Sequence, residues 1–225
     1  MQPLGQIVNR LARVYGEPAA PPARTLLDLV LLENVAYLVD DVGRGRAFDA
    51  LRARIGLQPA QILAAPDEAL EAVAAEGILP RSQADKLKAI ARLAVDEFDG
   101  DLEALRTWPL EKARKALTRF PSIGEPGAEK ILLVGRSHPV LGLDSNGVRV
   151  LTRLGLVREA KSYAATYRGV QALLEPYRSN GFEWLLRAHQ LLRQHGQELC
   201  RRTHPRCDRC PLTAECAYYA LTREP

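Results

Sequence analysis

Cysteine is missing from the first 199 residues of this 225-residue chain, and its four cysteines all lie in the remainder. Long apolar runs are missing too. The longest, around 26–39, is interrupted by Asp28, Glu33 and Asn34, which makes it too short and too polar to span a bilayer. The first residues lack the basic segment and apolar core of a secretory signal peptide. These absences predict no membrane partner and a reducing, cytoplasmic environment, where cysteines bind metals more often than they pair.

The four cysteines are Cys200, Cys207, Cys210 and Cys216, with the spacing C-x6-C-x2-C-x5-C. Four thiolates suit tetrahedral Zn²⁺, but zinc sites usually come as two close pairs, and only the middle two cysteines form one here. An iron–sulfur cube also takes four cysteines, and its larger body tolerates wider, unequal loops. Disulfides are the third interpretation. The spacing favours the cube and excludes none of the three.

Charge is distributed unevenly along the chain. Residues 1–110 contain 12 basic and 16 acidic side chains, a net charge of −4, whereas residues 111–225 contain 19 basic and 11 acidic ones, a net charge of +8. A basic half indicates a polyanionic partner, most often nucleic acid. An ordinary solvated basic surface explains the same charge.

Helical periodicity runs through nearly the whole chain. Leu4, Ile7, Val8 and Leu11 form an i, i+3, i+4, i+7 stripe, and the proline-rich stretch 18–23 ends that helix. No segment alternates as a half-buried strand does. The pattern predicts an all-α fold with more than one core. Helices are expected at about 25–41, 44–55, 59–64, 67–76, 81–98, 101–107 and 110–118, and further ones are expected to start near 126, 144, 160 and 181.

Residues 120–128, FPSIGEPGA, predict a tight turn followed by a helix that starts at about Pro126, because proline suits the first helical position. Backbone N–H groups in such a turn, beside the positive end of a helix dipole, hold a phosphate oxygen without reading a base. An ordinary helix–helix turn is the simpler explanation of this segment taken alone.

Asp144 follows an apolar run and precedes a predicted helix. Its simplest role is that of an N-cap. A second interpretation is a catalytic carboxylate at a helix start, where the dipole favours its ionised form. Taken alone, the pattern favours the cap.

Together, in this order and at these distances, the three segments resemble the endonuclease III family of base-excision DNA glycosylases. In that family a hairpin of the type L-P-G-V-G precedes a helix, an aspartate and an Arg-Val pair follow, and the same cysteine spacing binds a [4Fe–4S] cluster. Here residues 120–124 match the hairpin, with Ser122 in place of its first glycine, and Asp144 matches the aspartate, with Arg149 and Val150 after it. The resemblance covers residues 25–216 and implies a cluster held by all four cysteines.

The resemblance also implies an architecture of two helical domains. A six-helix domain with the helix-hairpin-helix is expected at 25–138, and a second domain, formed by 1–24 and 139–225, is expected to hold the [4Fe–4S] cluster. The implied partner is double-stranded DNA with a damaged or mispaired base, flipped out of the stack into a groove between the domains. A monomer associated with the bacterial nucleoid is expected.

One departure from the family bears on the mechanism. Members that also cleave the strand have a lysine on the first turn after the hairpin, which attacks C1′ of the sugar. Pro126 occupies that position here, and Lys130 lies one helical turn further along the same face. We therefore expect a monofunctional enzyme, in which Asp144 polarises a water and stabilises the cationic sugar. Lys130 stays a candidate nucleophile.

Further site residues follow from the resemblance and the local chemistry. The helix at 25–41 is expected to line the lesion pocket with Glu33, Asn34 and Tyr37, where Glu33 would read a base edge or protonate a leaving purine. An exposed acidic helix face with a packed tyrosine explains these residues equally well. The residues expected to contact DNA are Ser122, Ile123, Gly124 and Gly127 in the hairpin segment and Arg201, Arg202 and Arg206 between the cysteines.

Three classes of function stay open. A monofunctional DNA glycosylase is favoured, and a bifunctional glycosylase with AP lyase activity is its variant. A protein that binds DNA damage without excising it is the second class, because the lysine is lost and the hairpin altered. A small electron carrier is the third, although a ferredoxin does not need so large a basic helical body. The sequence does not identify the lesion.

Overall fold

The computed structural model describes residues 4–22 and 24–223, and within those ranges it is helical, with twelve α-helices, short 3-10 turns and no β-strand. The all-α prediction is therefore confirmed. The chain divides into two compact units, one formed by residues 23–137 and the other by residues 1–22 together with 138–225. None of the described helices is both long and apolar enough to cross a membrane.

The first helix, α1, spans Leu4–Tyr15 and belongs to the unit that also contains the C-terminal part of the chain. The predicted stripe on α1 is confirmed, because its apolar side chains are buried. Four helices follow in this unit after residue 138, and the longest of them packs against α1. They are α9 (Ser145–Arg153), α10 (Tyr163–Leu174), α11 (Gly181–Glu198) and α12 (Ala217–Arg223), with α2 to α8 in the other unit.

The unit of residues 23–137 contains seven described α-helices. The short helix predicted at 59–64 is confirmed: it starts at Pro59 and is capped by Gln58 and Gln61. The helices are α2 (Leu26–Asn34), α3 (Asp41–Arg54), α4 (Pro59–Ala64), α5 (Asp67–Ala74), α6 (Pro80–Phe98), α7 (Leu110–Leu117) and α8 (Glu125–Val134).

The helix predicted over 25–41 is shorter than expected, since α2 ends at Asn34. Two interactions compete with its continuation. The carbonyl of Tyr37 accepts a hydrogen bond of 3.0 Å from the N–H of Ile78 in an isolated β-bridge. The side chain of Asp40 caps the start of α3. The apolar pattern that runs on past residue 34 therefore belongs to a loop held by long-range contacts.

Candidate functional site

Asp144 lies at the start of α9, directly after a buried apolar segment. Its Oδ1 accepts hydrogen bonds of 3.0 Å from the backbone N–H groups of Asn146 and Gly147. These bonds satisfy two donors that a helix start leaves without intrahelical partners. The N-cap role predicted for Asp144 is confirmed.

The second carboxylate oxygen of Asp144 is bound by side chains. Oδ2 accepts hydrogen bonds of 3.0 Å from Nδ2 of Asn146 and from Nε of Arg193 on α11. Burial raises the pKa of Asp144, but the hydrogen bonds from Gly147 and Asn146 and the charge of Arg193 outweigh it, so the pKa lies below its usual value. The carboxylate is ionised at neutral pH. Sequence reasoning missed Arg193, because nothing local marks a residue on α11 as a partner of Asp144.

Arg149 connects the start of α9 to the cysteine segment. Its guanidinium donates to Oδ1 of Asn146 at 2.8 Å, to the carbonyl of Gly196 at 2.7 Å and to the carbonyl of Cys200 at 2.8 Å. Asn146 in turn donates to Asp144. A continuous chain of hydrogen bonds therefore runs from the carboxylate to the first cysteine.

The four cysteines predicted as metal ligands lie together. Cys200, Cys207, Cys210 and Cys216 line one cavity, with Arg153 beside them. The guanidinium of Arg153 lies 3.5 Å from Sγ of Cys200, and Sγ of Cys210 accepts a hydrogen bond from the N–H of residue 212 at 3.4 Å. Burial raises the pKa of the Cys210 thiol to about 11. The four cysteines thus share one site, in which burial disfavours the thiolate of Cys210.

No group of three or more His, Cys, Asp or Glu side chains within residues 4–22 and 24–223 is arranged to hold a metal ion. The cysteines therefore line their common cavity without being grouped around one ion. The arginines predicted to contact DNA, Arg201, Arg202 and Arg206, are exposed beside this cavity. Arg153 donates hydrogen bonds to the backbone carbonyls of Arg201 and Arg202 and so fixes their backbone.

The hairpin segment forms the predicted turn before α8. Ser122 is exposed and adopts the left-handed conformation, with φ of 59°, where the family pattern has glycine. Ile123 is buried and anchors the turn, whereas Gly124 is exposed at the N-cap position of α8. Gly124 has no side chain with which to cap the first turn of this helix, in which Gly127 lies. The turn therefore presents a helix N-terminus of the kind that binds anions.

Glu33 and Lys130, predicted for two different roles, form one ion pair. Nζ of Lys130 lies 2.6 Å from Oε2 of Glu33, and Nη1 of Arg44 lies 3.9 Å from the same oxygen. All three side chains are about one-fifth exposed. Glu33 on α2 is thus held between two cations, and Lys130 on α8 is bound to a carboxylate.

The other two predicted pocket residues lie in different environments. Asn34 is 1 % exposed, and its Nδ2 donates to the carbonyl of Val30 at 3.1 Å. Its Oδ1 is buried without a hydrogen-bond partner in the part of the chain that the structure describes. Tyr37 is exposed and lies beyond the end of α2, with the ammonium of Lys86 5.8 Å from its ring centre. Glu33, Asn34 and Tyr37 therefore do not share one helix face.

An exposed apolar tip was not predicted from the sequence. Leu38 and Leu79 are 71 % and 58 % exposed, and both adopt left-handed conformations, with φ of 51° and 57°. The β-bridge of Tyr37 with Ile78 connects the two segments. Leucine rarely adopts this conformation, which marks the two exposed residues as a candidate interaction surface. The sequence signal is weak: Gly77 and Pro80 mark a turn, but not its exposed leucines.

The chain is 25 % identical over 219 residues to endonuclease III of Rickettsia conorii, covering 95 % of this chain and 97 % of that protein. Its fold matches a trapped endonuclease III–DNA covalent intermediate, with a TM-score of 0.77 and 20 % identity over the whole of both chains. It also matches a thermostable thymine-DNA glycosylase, with a TM-score of 0.66 and 17 % identity over 97 % of both chains. No family model matches the sequence.

Proposed function

We propose that this chain, which belongs to the endonuclease III-like family of base-excision DNA glycosylases, hydrolyses the N-glycosidic bond of a damaged or mispaired base flipped from duplex DNA. The observation that carries the proposal is the ionised Asp144 at the start of α9, in an all-helical fold shared with endonuclease III. An ionised carboxylate is the group that such a reaction needs, because positive charge develops on the sugar as the base leaves.

In the proposed mechanism Asp144 acts as a carboxylate throughout the reaction. It orients and polarises a water molecule and stabilises the cationic sugar. The backbone N–H groups of Asn146 and Gly147 keep it in place and ionised. Flipping the nucleotide costs a few kcal/mol, and the cost is lowest for a damaged or mispaired base, which contributes to selectivity.

The proposed reaction is monofunctional. Pro126, in the first turn of α8, has no nucleophile, and the nearest candidate, Lys130, is paired with Glu33 at 2.6 Å. Attack on C1′ by Lys130 would first require this pair to break. The same pair argues against Glu33 as a general acid, because its carboxylate already contacts Lys130 at 2.6 Å and lies 3.9 Å from Arg44. Glu33 acts in this proposal as a hydrogen-bond acceptor.

DNA is proposed to contact the two units through different groups. The start of α8, next to Ser122 and the N-cap residue Gly124, offers backbone N–H groups to a phosphate. Exposed guanidinium groups near the cysteines bind phosphates bidentately. The exposed leucines Leu38 and Leu79 suit the space that a flipped nucleotide leaves, since apolar side chains wedge between base steps.

The four cysteines are proposed to hold a [4Fe–4S] cluster. A zinc ion requires sulfurs grouped about 2.3 Å from one centre, whereas a cube takes one thiolate at each iron and needs them further apart. The four cysteines line one cavity, and their spacing C-x6-C-x2-C-x5-C favours the cube. The cluster would supply positive charge that keeps the thiolates ionised and would fix the fold of the arginine-bearing loop. A brown protein with equal iron and inorganic sulfide supports this assignment; a colourless protein with zinc contradicts it.

A panel of duplexes with single lesions tests the proposed activity. The panel contains an oxidised pyrimidine, thymine or uracil opposite guanine, mispaired adenine, and 1,N6-ethenoadenine as an alkylated purine. The assay scores free base and alkali-labile abasic sites in the same reaction. We expect both products from at least one duplex, with strand scission only after alkali. Tight lesion binding without release of any base would favour the damage-binding alternative instead.

A further inference from the structure

The N-terminal helix α1 contacts the cysteine segment at the other end of the chain. Nη1 of Arg10 donates to Oε2 of Glu215 at 2.6 Å and to the carbonyl of Pro211 at 3.5 Å. Pro211 directly follows Cys210, and Glu215 directly precedes Cys216. Both members of the ion pair are about one-third exposed, so the pair alone contributes little to stability. It nevertheless places α1 beside two of the proposed metal ligands.

A second contact from α1 reaches a cysteine sulfur through a buried histidine. Tyr15, the last residue of α1, has its hydroxyl 2.9 Å from Nδ1 of His195 on α11. Nε2 of the same imidazole lies 3.5 Å from Sγ of Cys210. His195 is 1 % exposed, and its ring meets that of Tyr15 edge to face, with the ring centres 6.0 Å apart. The imidazole is therefore held between a hydroxyl and a sulfur, with both ring nitrogens engaged.

The direction of these hydrogen bonds follows from the chemistry of a ligating thiolate. A thiolate has lone pairs and no proton, so Nε2 is the nitrogen that donates to Sγ of Cys210. Burial disfavours the imidazolium, and in the neutral ring the other nitrogen, Nδ1, is an acceptor. Tyr15 is then the donor to Nδ1, and burial raises the pKa of its phenol, which keeps the proton on the hydroxyl. One directed chain of hydrogen bonds runs from Tyr15 through His195 to Cys210.

Hydrogen bonds of this kind orient a metal ligand and withdraw charge from it. Sγ of Cys210 also accepts from the N–H of Leu212 at 3.4 Å, so a backbone donor and the imidazole together fix its position. A hydrogen-bond partner behind a metal ligand typically contributes about tenfold to a hundredfold to metal affinity. Hydrogen bonds to the sulfurs of an iron–sulfur cluster raise its reduction potential, because they favour the more negative, reduced state.

We propose that Tyr15 and His195 are positioning residues of the metal site: Tyr15 sets the tautomer of His195, and His195 donates to the Cys210 thiolate, which holds this ligand in place and raises the reduction potential of a bound cluster. The inference rests on the proposed function, since it takes the four cysteines as ligands of a [4Fe–4S] cluster. It makes α1 part of the metal site, although α1 contains no cysteine.

The test compares three variants of this hydrogen-bond chain with one control. His195→Leu removes the donor, His195→Gln keeps an N–H donor, and Tyr15→Phe removes only the hydroxyl. Tyr177→Phe is the matched control, because the hydroxyl of Tyr177 also contacts α1, where it accepts from the N–H of Leu4 at 3.1 Å. Two quantities are measured on each purified holoprotein. They are the reduction potential, by protein voltammetry, and the rate at which a chelator removes the metal without oxygen.

We expect His195→Leu to lower the potential by about 59 mV, which corresponds to a tenfold shift in a one-electron equilibrium. The same variant should lose its metal about tenfold faster than the wild type. Tyr15→Phe should change both quantities in the same direction by a smaller amount, because the imidazole can then adopt either tautomer. His195→Gln should lie closer to the wild type than His195→Leu does, and Tyr177→Phe should match the wild type.

Circular dichroism and urea unfolding establish that each variant folds. Tyr15→Phe keeps the aromatic ring, so it carries the test if a change at the buried His195 prevents folding. Equal potentials for the wild type, Tyr15→Phe and His195→Leu would overturn the inference. A shift in Tyr177→Phe as large as that in Tyr15→Phe would also overturn it, because loosening α1 would then be sufficient.

Failure of the proposed function gives different results. Neither quantity requires DNA, so a protein that excises no lesion still tests the hydrogen-bond chain. A protein that binds zinc contradicts the cluster assignment and has no cluster potential, but the chelator still removes its metal at a measurable rate. In that case, equal rates of zinc loss for the wild type and His195→Leu would overturn the inference, and a faster rate for the variant would support it.

Discussion

The ammonium of Lys130 on α8 lies 2.6 Å from the carboxylate of Glu33 on α2. The pair joins two residues for which separate catalytic roles, general acid and nucleophile, were predicted. Because each side chain is engaged by the other, neither can take up its predicted role unless the pair breaks.

Borohydride trapping tests this relationship. We expect wild-type protein to form no covalent adduct with a duplex whose base it excises, because Lys130 is engaged by the Glu33 carboxylate and Pro126 has no amine. Lys130→Arg, which retains the ion pair, should retain excision. The measurement is a gel of the trapped reaction. An adduct formed by the wild type and lost in Lys130→Ala would establish the bifunctional alternative.

Ser122 predicts a stability effect at the hairpin. Its φ of 59° costs an L-residue about 1–2 kcal/mol, which glycine avoids. Glycine also adds about 0.4–1 kcal/mol of conformational freedom to the unfolded chain. Ser122→Gly should therefore raise the free energy of unfolding by about 0.5–1 kcal/mol. Urea unfolding measures the change. A variant less stable than wild type would show that the Ser122 side chain makes a stabilising contact.

Replacing Leu79 should affect DNA binding without affecting the stability of the fold. Asparagine tolerates the left-handed conformation, and the leucine is 58 % exposed, so Leu79→Asn should change the free energy of unfolding by less than about 0.5 kcal/mol. Its lesion-duplex affinity should nevertheless fall, because an apolar wedge is lost. Val95 on α6 is 46 % exposed, and Val95→Asn is the control that should retain affinity. If Leu79→Asn and Val95→Asn bind the lesion duplex with equal affinity, Leu79 does not act as a wedge.

Asp144 predicts a particular dependence of stability on pH. Its folded-state pKa lies below its usual value, so its ionised form stabilises the fold above the unfolded-state pKa of about 3.9, and this stabilisation is lost as pH falls further. Asparagine is also a good N-cap, so Asp144→Asn removes mainly the charge. Urea unfolding from about pH 8 to about pH 5 should give a constant stability difference between the two proteins. A difference that disappears by about pH 6 would mean that the carboxylate is protonated in the fold.

Sequence patterns identified the features of this protein that local chemistry determines. The buried stripe of α1 and the N-cap at Asp144 depend on residues within a turn or two, and the structure confirms both. The ion pairs Glu33–Lys130 and Asp144–Arg193 could not be predicted from the sequence, because their members are distant in the chain and leave no periodic signature. The early end of α2 was missed for the same reason, since the bridge from Tyr37 to Ile78 outweighs a helical pattern.

Replacing Asp144 by Asn in the single-turnover assay tests the central claim most directly. On the duplex that the wild type excises, we expect the rate to fall by about a hundredfold to a thousandfold, as when one electrostatic contact to a charged transition state is removed. The dissociation constant for that duplex should stay within about threefold, because the helix start remains capped. A variant that excises the base at the wild-type rate would contradict the account.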